Sequence, residues 1–259
     1  MLAAERRNLI LEKLQEERRV VVSELSTLFG VSEETIRRDL ERLEREGLAV
    51  KSYGGAVLNE NSGFDMPFNI RKKRNAQGKQ VIGELVGRLV QEGEHIIVDP
   101  GTTAVAVVKA LKSRRQLTVI TNSIEVLAEL ADVSGWEVIC TGGTLREHNL
   151  ALVGARAAGA VSSFYADKAI LSCKGLHREK GATDSSEMFS QVKQAMLKSA
   201  RQRILAADHT KFDQVAFSQI CDLSAVDMVV TDIRPSGEWM KYFAEKGIEC
   251  IYGGEEAGG

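Results

Sequence analysis

Between Val22 and Leu43 the chain carries two short helical periods separated by one glycine, and no other stretch restricts its fold so tightly. In the first, Leu25, Leu28 and Phe29 fall at helical spacing, and Gly30 then permits the left-handed backbone of a sharp turn. Val31 is placed to pack back into the angle. The second period opens at Ser32, whose hydroxyl suits an N-cap, with Glu33 and Glu34 in the first turn where the helix dipole favours them. Ile36, Leu40 and Leu43 recur at i, i+4, i+7, so one face is apolar and buried. The opposite face carries Glu34, Arg38, Glu41, Arg42 and Arg45, with Thr35 and Arg37 on its flanks. A solvated helix also presents mixed charge; the tight turn ahead of this one points to a helix-turn-helix. Glu46-Gly47 ends the second helix, and Leu48 to Leu58 alternates about Gly54-Gly55, predicting a β-hairpin wing.

At 259 residues the chain is long for one domain and comfortable for two. No run of about 18 apolar residues is present to span a membrane. The start is charged within its first residues (Glu5, Arg6, Arg7), unlike a signal peptide, so a cytoplasmic protein is expected. Cys140, Cys173, Cys221 and Cys250 are scattered without a Cys-x-x-Cys pair, which predicts buried reduced thiols. His95, His148, His177 and His209 lack metal-ligand spacing, so no metal site is expected. Net charge is −2, and the first 57 residues hold 10 Lys/Arg against 11 Asp/Glu. A DNA reader with this balance must segregate its charges. Arg37, Arg38, Arg42 and Lys51 would face phosphate while Glu12, Glu16, Glu17 and Glu46 face away.

Residues 5–17 form an amphipathic first helix, and Val20 to Val22 reads as a short strand that pairs with the wing. The first domain is expected to span 1–58. Asn59, Asn61, Ser62, Gly63 and Pro67 mark a linker over 59–74, closing on the basic tetrad Arg71 to Arg74, either a solvated helix start or an extra phosphate contact. Over 75–259 strands and helices alternate. Strands are predicted at 95–99, 117–120, 136–140, 168–172, 203–207, 228–231 and 249–252, with helices at 81–89, 103–112, 123–131, 188–200 and 237–246. Apolar strands separated by helices argue for an α/β Rossmann-like domain with a mostly parallel sheet.

In such sheets ligands bind beyond the carboxyl ends of the strands. Those ends are small and polar here: Asp99-Pro-Gly-Thr-Thr103, Thr121-Asn-Ser123, Thr141-Gly-Gly-Thr144 and Ala207 to Phe212. Gly101, Thr102 and Thr103 at a helix N-terminus suit a phosphate, although a simple N-cap and tight turn has the same look. Gly-x-Gly-x-x-Gly, the P-loop, Gly-x-Ser-x-Gly and His-Glu-x-x-His are all absent, so no nucleotide cofactor and no catalytic residue are expected.

The N-terminal segment resembles the DNA-binding domain of the DeoR family of bacterial transcriptional regulators. Arg6, Ile10, Leu14, Ser32, Thr35, Ile36, Arg37, Arg38, Asp39 and Leu40 match its pattern in type and spacing. The later loops are similar to the family's effector domain, related in fold to ribose-5-phosphate isomerase. Asp99, Gly101, Thr102 and Thr103 match its phosphate loop, Thr121-Asn122 and Gly142-Gly143 the next two ligand loops, and Asp208, Thr210 and Lys211 the Asp-x-Ser/Thr-Lys-Phe element. The resemblance implies a repressor of a carbohydrate-metabolism operon, a homodimer or tetramer on double-stranded operator DNA, switched by a phosphorylated sugar. Thr35 and Arg38 would read base edges; Ser32, Arg37, Arg42, Lys51, Ser52 and Tyr53 complete the DNA surface.

One departure bears on chemistry. Where many relatives carry an acidic residue after the strand ending Leu171-Ser172, this chain has Cys173-Lys174. Aldose–ketose isomerisation needs a base at the carbon that loses its proton, so binding without turnover is expected. The alternative is an isomerase-like enzyme with an appended DNA-binding domain, in which Asp184 or Glu187 substitutes. Lys174 either adds charge for an anionic effector or is a plain surface lysine.

Overall fold

The computed structural model describes residues 1–59 and 66–254, residues 15 and 16 in backbone only. Part of the expected linker (60–65), the C-terminal end of the last domain (255–259) and the side chain of Glu16 therefore lie outside the described residues. The contacts divide the chain into two units, Met1–Arg71 and Lys72–Gly259.

In the first unit α1 (Ala3–Glu17) leads through β1 (Arg19–Val21) to α2 (Val22–Phe29) and α3 (Glu33–Arg45), then to the hairpin β2 (Ala49–Ser52) and β3 (Gly55–Leu58). The sheet is antiparallel in the order β1-β3-β2, with Val20 opposite Ala56. Gly30 closes α2 in the left-handed region at φ 63°, the turn expected of it. Gly55 is fixed by packing, since a Cβ there would stand 1.9 Å from the Val20 carbonyl oxygen. Ile10, Leu14, Leu25, Ile36, Leu40 and Leu43 close one core beneath the helices. Asn59 belongs to this unit, because its amide donates to the Leu48 carbonyl and its side chain to that of Gly47.

A short helix α4 (Phe68–Lys73) includes the first three residues of the basic tetrad. From α5 (Ala76–Leu89) the chain alternates through β4 (His95–Val98), α6 (Thr102–Leu111), β5 (Thr118–Thr121), α7 (Ile124–Leu130) and β6 (Glu137–Cys140). The hairpin β7 (Thr144–Arg146) and β8 (Ala151–Val153) follows, then α8 (Ala155–Val161) and β9 (Ala166–Leu171). After β10 (Gly175–His177) and β11 (Gly181–Asp184) come α9 (Glu187–Lys198), β12 (Ala200–Ala206) and β13 (Ser218–Cys221). Last are β14 (Met228–Thr231), α10 (Gly237–Lys246) and β15 (Glu249–Tyr252).

Seven strands make one parallel sheet in the order β15-β14-β12-β9-β4-β5-β6. The chain runs from β4 outward to β6, returns to β9 beside β4, and proceeds the other way to β15. The crevice beyond β4 and β9 is therefore the topological switch point, where α/β sheets bind ligands. The expected Rossmann-like domain is present.

Two features were not anticipated: the β7–β8 hairpin and an antiparallel sheet of β10, β11 and β13. Their strands are three or four residues long, too short for alternation to register. The expectation of buried thiols holds only for Cys173: Cys221 and Cys250 are half-buried, and Cys140 is exposed, because β6 is an edge strand with both its ends open to solvent. Among the described residues no helix is long and apolar enough to cross a membrane.

Candidate functional site

The first unit sorts its motif residues into three physical roles. Ile10, Leu14, Ile36 and Leu40 are core. Arg6 and Asp39 form a buried ion pair at 2.6 Å, joined by Arg7 at 3.6 Å, which locks α3 against α1. Ser32 caps α3, its hydroxyl accepting from the Thr35 amide at 3.2 Å and lying 2.9 Å from the Thr35 hydroxyl. Thr35, Arg37, Arg38 and Arg42 remain on the open side of α3; Lys51, Ser52 and Tyr53 are exposed on the wing, with Tyr53 at its tip.

The expected separation of charge does not occur. Glu46 was assigned away from the arginines, yet it lies 2.5 Å from Arg42, because i and i+4 share a helix face. Arg37 pairs with Glu33 at 2.6 Å and Arg38 with Glu34 at 3.2 Å. Lys51 bonds Glu41 at 2.9 Å, and that bond and charge hold the Glu41 carboxyl below its ordinary value. Exposed i,i+4 pairs are worth only about 0.3–0.5 kcal/mol, so the glutamates hold these arginines weakly.

In the second unit the sequence-assigned residues gather at the carboxyl ends of the parallel strands, and a group that sequence reasoning passed over organises them. Lys193, on the buried face of α9, places its ammonium 2.8 Å from Asp99 and 2.7 Å from Asp184, and donates to the Ser172 carbonyl at 2.7 Å. Burial lowers the Lys193 pKa, but the two carboxylates outweigh it and hold it above the usual lysine value. Burial likewise raises Asp99, and the charge and bond of Lys193 with the bonds from Ser172 hold it below the usual carboxylate range. The sequence signal existed. Phe189, Val192, Lys193 and Met196 stand at i, i+3, i+4 and i+7, which puts a lysine in an apolar stripe.

Asp99 is entirely buried and has its oxygens engaged by the chain, Oδ1 accepting from the Gly101 amide at 3.1 Å and Oδ2 from the Ser172 amide and hydroxyl at 2.9 and 2.7 Å. It orders the loop. Gly101 has an internal reason to be glycine, since a Cβ there would meet the Ser172 Oγ at 2.1 Å. Thr102 and Thr103 open α6, which has no side-chain cap, and neither hydroxyl is engaged among the described residues. Asn122 donates from Nδ2 to the Leu152 carbonyl at 2.8 Å, while its buried Oδ1 has no partner. Gly142 and Gly143 both take positive φ, and a Cβ on Gly143 would press the Val153 carbonyl at 2.8 Å.

Across the switch point, burial pushes the Cys173 thiol up to about 12, against the pull of Lys193 and Lys211. Lys211 precedes Phe212, which bridges Leu176, and forms no ion pair among the described residues. Lys174 is half-buried beside Cys173, its amide donating to the Thr183 carbonyl. Asp208 is buried and accepts from the Thr210 amide at 3.0 Å, ordering the loop that carries Lys211. As for the alternative bases, Asp184 is held by Lys193, and Glu187 is exposed on α9, bonded to Gln191.

A helix-turn-helix with a wing, followed by a Rossmann-like domain with a polar switch point, defines a regulator with a sensor domain. Family comparison agrees: the DeoR-like helix-turn-helix domain matches residues 6–62 and the DeoR C terminal sensor domain matches residues 74–233. The chain belongs to the DeoR family of transcriptional regulators. The HTH-type transcriptional regulator YulB of Bacillus subtilis is 39% identical over 90% of each chain. The repressor GlcR of the same organism is 32% identical over 100% of this chain and 99% of its own. The glycerol-3-phosphate regulon repressor of Escherichia coli is 30% identical, covering 96% and 98%. Ribose 5-phosphate isomerase A from Methanocaldococcus jannaschii is a distant fold match, with a TM-score of 0.40 at 14% identity over 53% and 55% of the two chains.

Proposed function

We propose that this regulator is a repressor of a carbohydrate-metabolism operon and that a phosphorylated sugar, or a related polyol phosphate, switches its affinity for operator DNA. Thr35 and Arg38 read base edges, while Ser32, Arg37, Arg42, Lys51, Ser52 and Tyr53 hold the backbone. Two copies bind paired half-sites, as a homodimer or a tetramer.

The observation that carries the effector reading is the set of unengaged polar groups on neighbouring strand ends. Thr102 and Thr103 follow β4, Asn122 with its unpartnered Oδ1 follows β5, and Lys211 lies on the loop after β12, beside the switch point. An anion at the N-terminus of α6 meets free amides and the helix dipole, and Lys211 adds a full charge. Asn122 Oδ1 accepts from a hydroxyl, which a sugar supplies. The relative named for the glycerol-3-phosphate regulon agrees with this chemistry. Turnover has little support: Asp184, the alternative base, is held by Lys193, and Asp99 is held by Lys193 and Ser172.

The test begins with duplexes selected from a random library by the full-length protein. Affinity for the enriched duplex is then measured with glucose 6-phosphate, ribose 5-phosphate and glycerol 3-phosphate, and with their unphosphorylated parents. Wild type responds to a phosphorylated compound and not to its parent. Thr102→Val with Thr103→Val binds the duplex normally and does not respond. A double variant that responds as wild type does moves the phosphate site elsewhere.

A further inference from the structure

The loop that carries Lys211 is tied to a point far from it in sequence. Asp232, the residue after β14, is buried. Its Oδ1 accepts from the His209 amide at 2.7 Å, and its Oδ2 lies 2.7 Å from the His209 Nδ1 and accepts from the Asn75 side-chain amide at 2.9 Å. Asn75 is the N-cap of α5, held in the left-handed region at φ 47°, and its Oδ1 accepts from the Gly78 amide at 3.3 Å. Left-handed backbone is uncommon outside glycine and persists where neighbours fix it. The fit is tight, because a Cβ on Gly78 would stand 2.3 Å from the Asp232 Oδ2. Lys79 reinforces the arrangement by donating from Nζ to the Arg74 carbonyl.

One carboxylate thus holds Asn75, at the start of the sensor domain, and His209, in the candidate effector loop. We propose that Asp232 is a positioning residue that couples the His209–Lys211 loop to the place where the chain enters the sensor domain. Its regulatory meaning rests on the effector reading above. When an anion draws Lys211 inward, His209 moves with its loop, and the shared carboxylate changes its hold on Asn75. Asn75 directly follows the basic tetrad Arg71 to Arg74, so the change reaches the segment leading back to the helix-turn-helix unit. A ligand shifts DNA affinity only if its contacts differ between the two states, and a shared carboxylate with two clients supplies such a difference.

The test uses hydrogen exchange on the full-length protein, then duplex binding. His209 is partly exposed, so His209→Ala folds; Asn75→Ala and the near-isosteric Asp232→Asn complete the set. Coupling predicts reciprocity: His209→Ala speeds exchange at Gly78 and Lys79 roughly fivefold or more, and Asn75→Ala does the same at the His209 amide. The double variant goes little further than either single one, as groups sharing one partner should. A merely local role confines each effect to its own segment, and that result overturns the proposal. In the binding arm, Asp232→Asn takes up whichever of glucose 6-phosphate, ribose 5-phosphate or glycerol 3-phosphate releases the wild-type duplex, without releasing its own. An Asp232→Asn protein that releases DNA like wild type overturns the coupling. Reciprocal exchange in a wild type deaf to all three compounds keeps the mechanical link and removes the effector reading.

Discussion

Replacing Lys193 by Met tests the centre of the sensor domain. Lys193→Met keeps the length of the side chain and removes a charge that serves three partners, at 2.7 Å to Asp184, 2.8 Å to Asp99 and 2.7 Å to the Ser172 carbonyl. Breaking a buried ion pair from one side costs about 3–5 kcal/mol, because the remaining charge is left in a medium that cannot solvate it. A domain of this size shifts by about 2–4 °C per kcal/mol, so melting near neutral pH falls by roughly 6–20 °C. The pH dependence carries the sign. In wild type the folded Asp99 carboxyl is held below its unfolded value, so its contribution is complete above about pH 4 and is lost only as pH falls through the folded value. Without Lys193 burial dominates and the folded pKa rises above the unfolded one, so the variant regains stability as the pH falls. Differential scanning calorimetry at about pH 7 and about pH 5 should show the gap narrowing on acidification. A variant melting within about 2 °C of wild type, or a gap that widens, refutes the triad as described.

Arg38→Ala should leave melting unchanged, since Arg38 loses only an exposed pair with Glu34, while preference for the selected duplex over an unrelated one falls by about 1–3 kcal/mol per site in competition binding. Ser32→Ala removes the cap accepted from the Thr35 amide and should destabilise the first unit by about 0.5–2 kcal/mol in denaturant titration. Thiol labelling of the native protein near neutral pH should find Cys140 first, exposed on its edge strand, with Cys173 silent because burial pushes its thiol up to about 12. Glu34→Gln should tighten binding to unrelated duplexes and steepen their salt dependence, measured by fluorescence anisotropy across a salt series, because the freed Arg38 then meets phosphate without a competing carboxylate.

The sequence disclosed what periodicity and turn chemistry can encode. Ile36, Leu40 and Leu43 marked the buried face of α3 because a helix repeats every 3.6 residues, and Gly30 marked the turn because few other residues take its φ. The parallel strands were legible as apolar runs because both faces of that sheet are covered. The antiparallel β10, β11 and β13 were not, since Gly175 and Gly181 replace side-chain patterning with close backbone packing. At the site, strand-end loops were visible in order along the chain, whereas the partner of each polar atom was not. Asp99 had the look of a ligand contact, and its oxygens serve Gly101, Ser172 and Lys193. Lys193 and Asp232 come from elements far along the chain, and only the sheet's return past β4 brings Lys193 to Asp99 and Asp232 to Asn75.

The charge balance of the first unit follows from these geometries. A chain of net charge −2 has no net positive charge to draw it to DNA, and Arg37, Arg38 and Arg42 of α3 each have a carboxylate beside them. Exchange of those partners for phosphate alone gains little, because one weak surface pair replaces another and the displaced glutamate stays close to the duplex, where it repels. A guanine edge offers more, two directed bonds to one guanidinium, worth about 1–3 kcal/mol against a wrong base. On the proposed reading, the glutamates that weaken binding to any duplex would therefore widen the difference between a matching site and the rest. Arg6 is the contrast. Its pair with Asp39 is buried, cannot exchange with DNA, and fixes α3 against α1.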